Sequence, residues 1–139
     1  VCTVLRERHG RALLIGADAP QLQATDLVDA CAALDTRDHA LAPSEDGGFW
    51  LFATRTAVPE AAWSRTPWSQ ADTSERFLDA LAPTPVAALR RLRDVDTIDD
   101  LAPLAEALEA LSAPTPKQAA LAHWLRKLSM VHPCIAGGT

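Results

Sequence analysis

Ala12-Leu13-Leu14-Ile15-Gly16-Ala17-Asp18-Ala19-Pro20 is the stretch that decides the fold. Ala12 to Gly16 is a short, continuous apolar run. His9-Gly10 precedes it and Asp18-Ala19-Pro20 closes it, both turn signals. That pattern predicts a strand buried on both faces, as in a parallel sheet. An acid just past such a strand lies at the carboxyl edge of the sheet, where open α/β folds bind ligands. A carboxylate is a hard oxygen ligand suited to Mg²⁺ or Mn²⁺. The competing reading of Asp18 is a plain turn or capping residue.

Upstream, Val1 to Arg8 reads as the end of a helix. Val1 is not a methionine, and the simplest reading is that coding sequence upstream is absent or was removed. Downstream, Thr25 reads as an N-cap, with Asp26 and Asp29 near the positive end of a helix dipole. Leu27, Val28, Cys31 and Leu34 share one helical face, so Cys31 is expected to be a small buried hydrophobe. His39 to Pro43 reads as a strand. A turn, Ser44-Glu45-Asp46-Gly47-Gly48, leads into the β-prone run Phe49 to Ala53.

Asp72-x-x-Glu75 is a candidate cap for a short helix carrying Phe77, Leu78 and Leu81. Val86 to Leu92 is a candidate strand. Leu101, Leu104, Ala105, Leu108 and Leu111 form an apolar helical stripe. Pro103 either kinks that helix or lies in its first turn. Thr115-Pro116-Lys117-Gln118 is a capping box that opens a last helix, and the tail from Pro133 to Thr139 is expected to fray. Strands alternating with helices predict an α/β layer fold with a mostly parallel sheet.

Composition bounds the function. The chain has 139 residues, 48% hydrophobic and 22% charged, with a net charge of −5. It has the length of one compact domain. The acidic balance argues against a general nucleic-acid binder and against adsorption to an anionic membrane. No apolar run reaches the ~20 residues of a membrane span, and the start does not resemble a secretory signal. Cys2, Cys31 and Cys134 show no C-x-x-C spacing, which fits a reduced cytoplasm rather than a disulfide framework or zinc site. The histidines share no ligand spacing, and His123 is expected to be exposed and uninvolved. Phosphate-loop, dinucleotide-binding and nucleophile-elbow motifs do not occur.

Two more acidic clusters stand beside Asp18. Glu45 and Asp46 precede two glycines, which would let a ligand approach the backbone; a hairpin turn is the alternative. In Asp94-Val95-Asp96-Thr97, an extended backbone would point Asp94 and Asp96 to the same side, able to ligate a divalent cation. The alternative is that both acids only decorate the start of a helix.

Taken in order, four segments resemble a known bacterial family. They are Leu14 to Pro20, Ala42 to Leu51, Pro67-Trp68-Ser69, and Asp94-Val95-Asp96-Thr97 with Asp100-Leu101. They are similar to the GT-A-like group labelled rSAM/selenodomain-associated transferase 1, a domain family of unknown function. Its pattern is an apolar strand, G-x-D-x-P, a helix, G-P-x-x-D-G-G-[FY]-x-L, W-S and D-V-D-T. Molybdenum-cofactor and 2-phospholactate guanylyltransferases are similar more distantly.

The resemblance implies an open-sheet nucleotide-diphospho-sugar transferase fold with flanking helices, without the N-terminal nucleotide-binding strands. Residues 1–112 would be the C-terminal portion of the transferase domain and residues 113–139 a helical extension and tail. It implies that Asp18 and Asp96 hold Mg²⁺ or Mn²⁺. Asp46 and Glu45 would be catalytic, and Gly47, Gly48, Pro20 and Trp68 would contact substrate. The partners implied are a nucleotide sugar or nucleoside triphosphate and an acceptor, with a homo-oligomer covering the open sheet edge. A non-catalytic interaction or assembly module is the alternative.

Overall fold

The computed structural model describes residues 2–131, so the tail from Pro133 lies outside the described residues. The chain divides into two compact units. The first comprises the residues up to Ala17 together with Ala24–Leu92. The second comprises Asp18–Gln23 together with the chain from Arg93 onward.

The first unit holds α1 (Cys2–His9), β1 (Ala12–Ile15), α2 (Ala24–Thr36), β2 (His39–Pro43), β3 (Phe49–Thr54), α3 (Glu60–Arg65), α4 (Thr73–Leu81) and β4 (Val86–Ala88). The strands form one sheet in the order β1-β3-β2-β4. The sheet is mixed, not mostly parallel: β3 runs antiparallel to both β1 and β2, and only β2 and β4 pair in parallel. The cause is the short turn between β2 and β3, because two strands joined so tightly must be antiparallel. β4, reached through α3 and α4, has the long connection that parallel pairing needs.

β1 is an edge strand and is not buried on both faces. Ala12 is buried, Leu13 and Leu14 are half-buried, and Ile15 is 51% exposed. The strands buried along nearly their whole length are instead β2 and β3. Leu41, Phe52, Ala62, Phe77 and Leu81 form the core there, with α4 laid against the sheet. Of the stretch Val86 to Leu92 only Val86–Ala88 is strand; Leu92 rejoins through a single bridge to Ser44.

α2 is turned relative to its expected face. It begins at Ala24, which puts Thr25 inside its first turn, and it buries Asp26, Ala30 and Leu34. Those positions form an i, i+4, i+8 stripe. Val28 is exposed and so is Cys31, which is therefore no buried hydrophobe. The physical reason is Asp26, whose carboxylate accepts from Arg90 Nε at 2.7 Å and Nη2 at 2.6 Å. A charge held inward by a bidentate arginine fixes the rotation of the helix. Asp72 is the N-cap of α4 but makes no capping bond there; it pairs with Arg76 one turn on.

The second unit holds a 3-10 turn (Ile98–Asp100), α5 (Leu101–Glu109) and α6 (Pro116–Val131). Pro103 lies in the first turn of α5, where its missing N–H is harmless. Leu104, Leu108, Ala122 and Leu125 pack α5 on α6. The expected capping box opens α6: Thr115 N–H donates to Gln118 Oε1 at 2.9 Å. His123 is exposed, as expected. Among the described residues no helix is long and apolar enough to cross a membrane.

Candidate functional site

In the second unit, the Asp18–Gln23 segment is held from two sides. The Val95 N–H donates to the Asp18 carbonyl at 2.9 Å, and the Gln21 amide donates to the Arg93 carbonyl. From α6, Gln118 Nε2 donates to the carbonyls of Pro20 at 2.9 Å and Leu22 at 2.7 Å. The capping glutamine of α6 thus also clamps the loop that carries Asp18.

The backbone bond from Val95 to Asp18 sets the Asp18 loop beside the Asp94–Thr97 segment. Both motif-predicted metal ligands, Asp18 and Asp96, therefore belong to one unit and flank one backbone contact. Asp94 and Asp96 bring carboxylate oxygens within 4.8 Å of each other, as an extended i, i+2 pair should. Asp94 is half-buried; Asp18 and Asp96 are exposed.

The start of the 3-10 turn and α5 is served by another acid. Asp100 Oδ2 accepts from Thr97 N–H at 2.8 Å, Thr97 Oγ1 at 2.9 Å and Asp96 N–H at 3.2 Å. Its Oδ1 accepts from Arg93 Nη1 at 2.9 Å. The Thr97 backbone and hydroxyl bonds, then the Arg93 guanidinium, hold the Asp100 carboxyl down at about 2. Asp100 therefore performs the capping at this helix entrance. Among the described residues the carboxylates of Asp18 and Asp96 have no hydrogen-bond or ion-pair partner. Thr97-x-x-Asp100 is itself a capping-box pattern, the sequence signal that identifies this acid.

In the first unit, Ser44 to Gly48 is the hairpin turn between β2 and β3. Asp46 is exposed, and its Oδ1 accepts from Gly48 N–H at 2.8 Å. Glu45 is exposed and its N–H donates to the Leu92 carbonyl at 3.0 Å. Gly47 has φ +95, and a Cβ there would stand 1.8 Å from the Ala71 carbonyl oxygen. Its own carbonyl accepts from Ser74 N–H at 2.9 Å. The backbone that Gly47 admits is thus the chain's own.

Trp68 is 45% exposed and stacks on Trp63, with ring centroids 6.0 Å apart and planes 14° from parallel. Its indole N–H donates to the Trp63 carbonyl at 3.1 Å. Ser69 follows at φ 59. The Asp26–Arg90 pair, 64 residues apart, was not legible from spacing. It borders a cavity of about 210 Å³ with Asp29, Trp50, Ala88 and Leu89.

Residues 2–70 match the family model described as "Uncharacterized protein conserved in bacteria (DUF2064)". No curated protein matches the sequence. The fold is similar to a crystal structure described as a "putative nucleotide-diphospho-sugar transferase" from Desulfovibrio desulfuricans G20. The TM-score is 0.79 at 23% sequence identity, over 94% of this chain. This chain spans 58% of that one. With its open four-stranded mixed sheet and flanking helices, the chain has the fold of that nucleotide-diphospho-sugar transferase structure over the part matched.

Proposed function

We propose that this chain carries the cation and acceptor elements of a glycosyltransferase or nucleotidyltransferase of the rSAM/selenodomain-associated transferase 1 type, using a divalent-metal-bound nucleotide donor. The observation that carries the reading is the Val95–Asp18 backbone bond between segments bearing two partnerless carboxylates, Asp18 and Asp96. Among the described residues, Glu7, Asp26, Asp35, Asp38, Asp72, Asp100 and Glu109 each sit within salt-bridge distance of an arginine. Asp18 and Asp96 do not.

Exposed carboxylate oxygens of this kind are by their chemistry suited to Mg²⁺ or Mn²⁺, with Asp18 and Asp96 as the ligands. When bound, the cation supplies charge stabilisation for the diphosphate of a nucleotide sugar or nucleoside triphosphate as it leaves. Gln118 and the Arg93–Val95 backbone keep the Asp18 loop in place, and Pro20 lies in that loop against substrate.

The Asp46-Gly47-Gly48 turn binds the acceptor. The Gly48 N–H bond to Asp46 Oδ1 fixes the carboxylate and leaves Oδ2 to accept an acceptor proton, with Glu45 as the neighbouring base. Trp68, braced by Trp63, offers an exposed aromatic face to a sugar or base. A cytoplasmic location is part of this reading, supported by cysteines without C-x-x-C spacing.

The test is a thermal-shift titration with Mn²⁺ and nucleotide sugars. A shift that needs both, and that Asp18→Asn or Asp96→Ala abolishes, supports the reading. Unchanged turnover in an Asp18→Asn variant of an active longer form would overturn it. A second reading, a non-catalytic assembly module, is favoured by the unpaired outer edge of β1 among the described residues. It predicts no nucleotide-dependent shift with Mn²⁺, and a second copy or a partner strand covering that edge.

A further inference from the structure

A second cavity in the first unit, of about 220 Å³, lies between α4 and the β2–β4 side of the sheet. Leu41, Pro43, Leu78 and Val86 to Ala88 give it apolar walls; Ser74, Glu75 and Arg91 complete its lining. On α4, Ser74 and Glu75 each neighbour Leu78, at i, i+4 and i, i+3. The opposite wall is the edge strand β4, whose outer side no strand covers among the described residues.

The two charges at this cavity are of opposite sign. Among the described residues neither the Arg91 guanidinium nor the Glu75 carboxylate makes a hydrogen bond or salt bridge. Elsewhere among the described residues arginines close on carboxylates, as in Arg11–Asp35 at 2.7 Å and Arg55–Asp38 at 3.0 Å. Here a cation and an anion line one cavity without closing on each other. The volume is that of about seven waters, and it is smaller than the roughly 300 Å³ at which drug-sized pockets begin. It therefore suits a molecule the size of a free amino acid.

We propose that this cavity binds a small zwitterion with an aliphatic body, an apolar α-amino acid being the matching chemistry. The carboxylate meets Arg91, the ammonium meets Glu75, and the aliphatic side chain lies against Leu41, Leu78 and Val86. Each half of the ligand has a counterpart on the cavity wall. The site stands apart from the transferase reading, since neither Asp18 nor Asp96 contributes to it.

The experiment is an NMR titration of the methyl resonances of Leu78 and Val86 with leucine, up to about 10 mM. Isocaproate, which lacks the ammonium, and isoamylamine, which lacks the carboxylate, are titrated in parallel. Leucine is expected to bind more tightly than either. Arg91→Gln and Glu75→Gln should each weaken leucine about tenfold, the loss of one charge-assisted hydrogen bond. Isocaproate binding should fall with Arg91→Gln and hold with Glu75→Gln. Equal binding of all three molecules, or no perturbation by leucine, would overturn the proposal. Both substitutions are at exposed positions, so folding is preserved and a loss of binding reports the site.

Discussion

The β2–β3 turn and the Arg93–Asp100 segment are both short acidic stretches that stand out in the sequence, yet their side chains are used in opposite ways. In the turn, the acid and the glycines serve the local fold. Asp46 accepts from Gly48, and Gly47 exists because the Ala71 carbonyl needs the space of a side chain. In the other segment, the structural work falls on Asp100, which binds Thr97, Asp96 and Arg93. Asp96 is thereby released from capping. An acidic motif is a stronger candidate for ligand chemistry when a neighbour has taken over its structural duty.

The largest expected effect breaks the turn. Gly47→Ala forces a Cβ into a backbone carbonyl and should cost about 4 kcal/mol or prevent folding. Gly10 is the control: its φ is +75 but a Cβ there meets nothing within 4 Å. Gly10→Ala should cost only about 1 kcal/mol. Urea unfolding midpoints of the two variants decide the matter, and equal costs would mean that Ala71 yields easily.

Next in size is the loss of function at the proposed cation ligands. Asp18→Asn should lower turnover of an active form by about 100-fold or more, or about 3 kcal/mol of barrier. Its unfolding midpoint should stay within about 0.5 kcal/mol of the parent, because its carboxylate has no partner to lose. Asp100→Asn should do the reverse, costing about 1–2 kcal/mol of stability through the lost cap while leaving Mn²⁺ affinity within a factor of about three. If Asp96→Ala and Asp100→Asn had the same stability cost, the contrast between them would disappear.

Local signals carried much of this architecture. The run Phe49 to Ala53 became a strand because its aromatic residues favour the pleated, buried backbone, and His39 to Pro43 pairs with it across the short turn. The Thr115–Gln118 capping box appeared where its spacing put it, and Pro103 fell in a first turn. What spacing could not carry was long-range. The rotation of α2 depends on Arg90, far along the chain, and an ion pair leaves no period in the sequence. The edge position of β1 depends on β3 inserting beside it, and the apolar run of β1 reads the same at an edge as in the centre. At the candidate site, the chemistry of Asp18 and Asp96 was legible as residue type. That Gln118 doubles as the clamp on the Pro20 and Leu22 carbonyls was not, because its capping role already explained it.

The smallest effect sharpens the same comparison through pH. In the second unit, Asp100 titrates near 2, below its ordinary 3.8. Its folded pKa is depressed, so its contribution is complete above about 4 and is lost as pH falls toward 2. In the first unit the sensitive group is His39, 2% exposed at the start of β2. The Thr54 hydroxyl gives its proton to the Thr56 carbonyl at 2.8 Å, so at 2.9 Å from the ring it must accept from His39 Nδ1–H. Burial lowers the His39 pKa, opposed in part by Asp38. The unfolded chain therefore takes up a proton that the folded one resists, and stability declines as pH drops below about 6.5. Urea midpoints measured from pH 7.5 to pH 5 should fall in the parent and flatten in His39→Gln. From pH 4 to pH 2 a further decline should be reduced in Asp100→Asn. A parent whose midpoint holds between pH 7 and pH 5 would show that His39 takes its second proton, on Nε2, without cost to the fold.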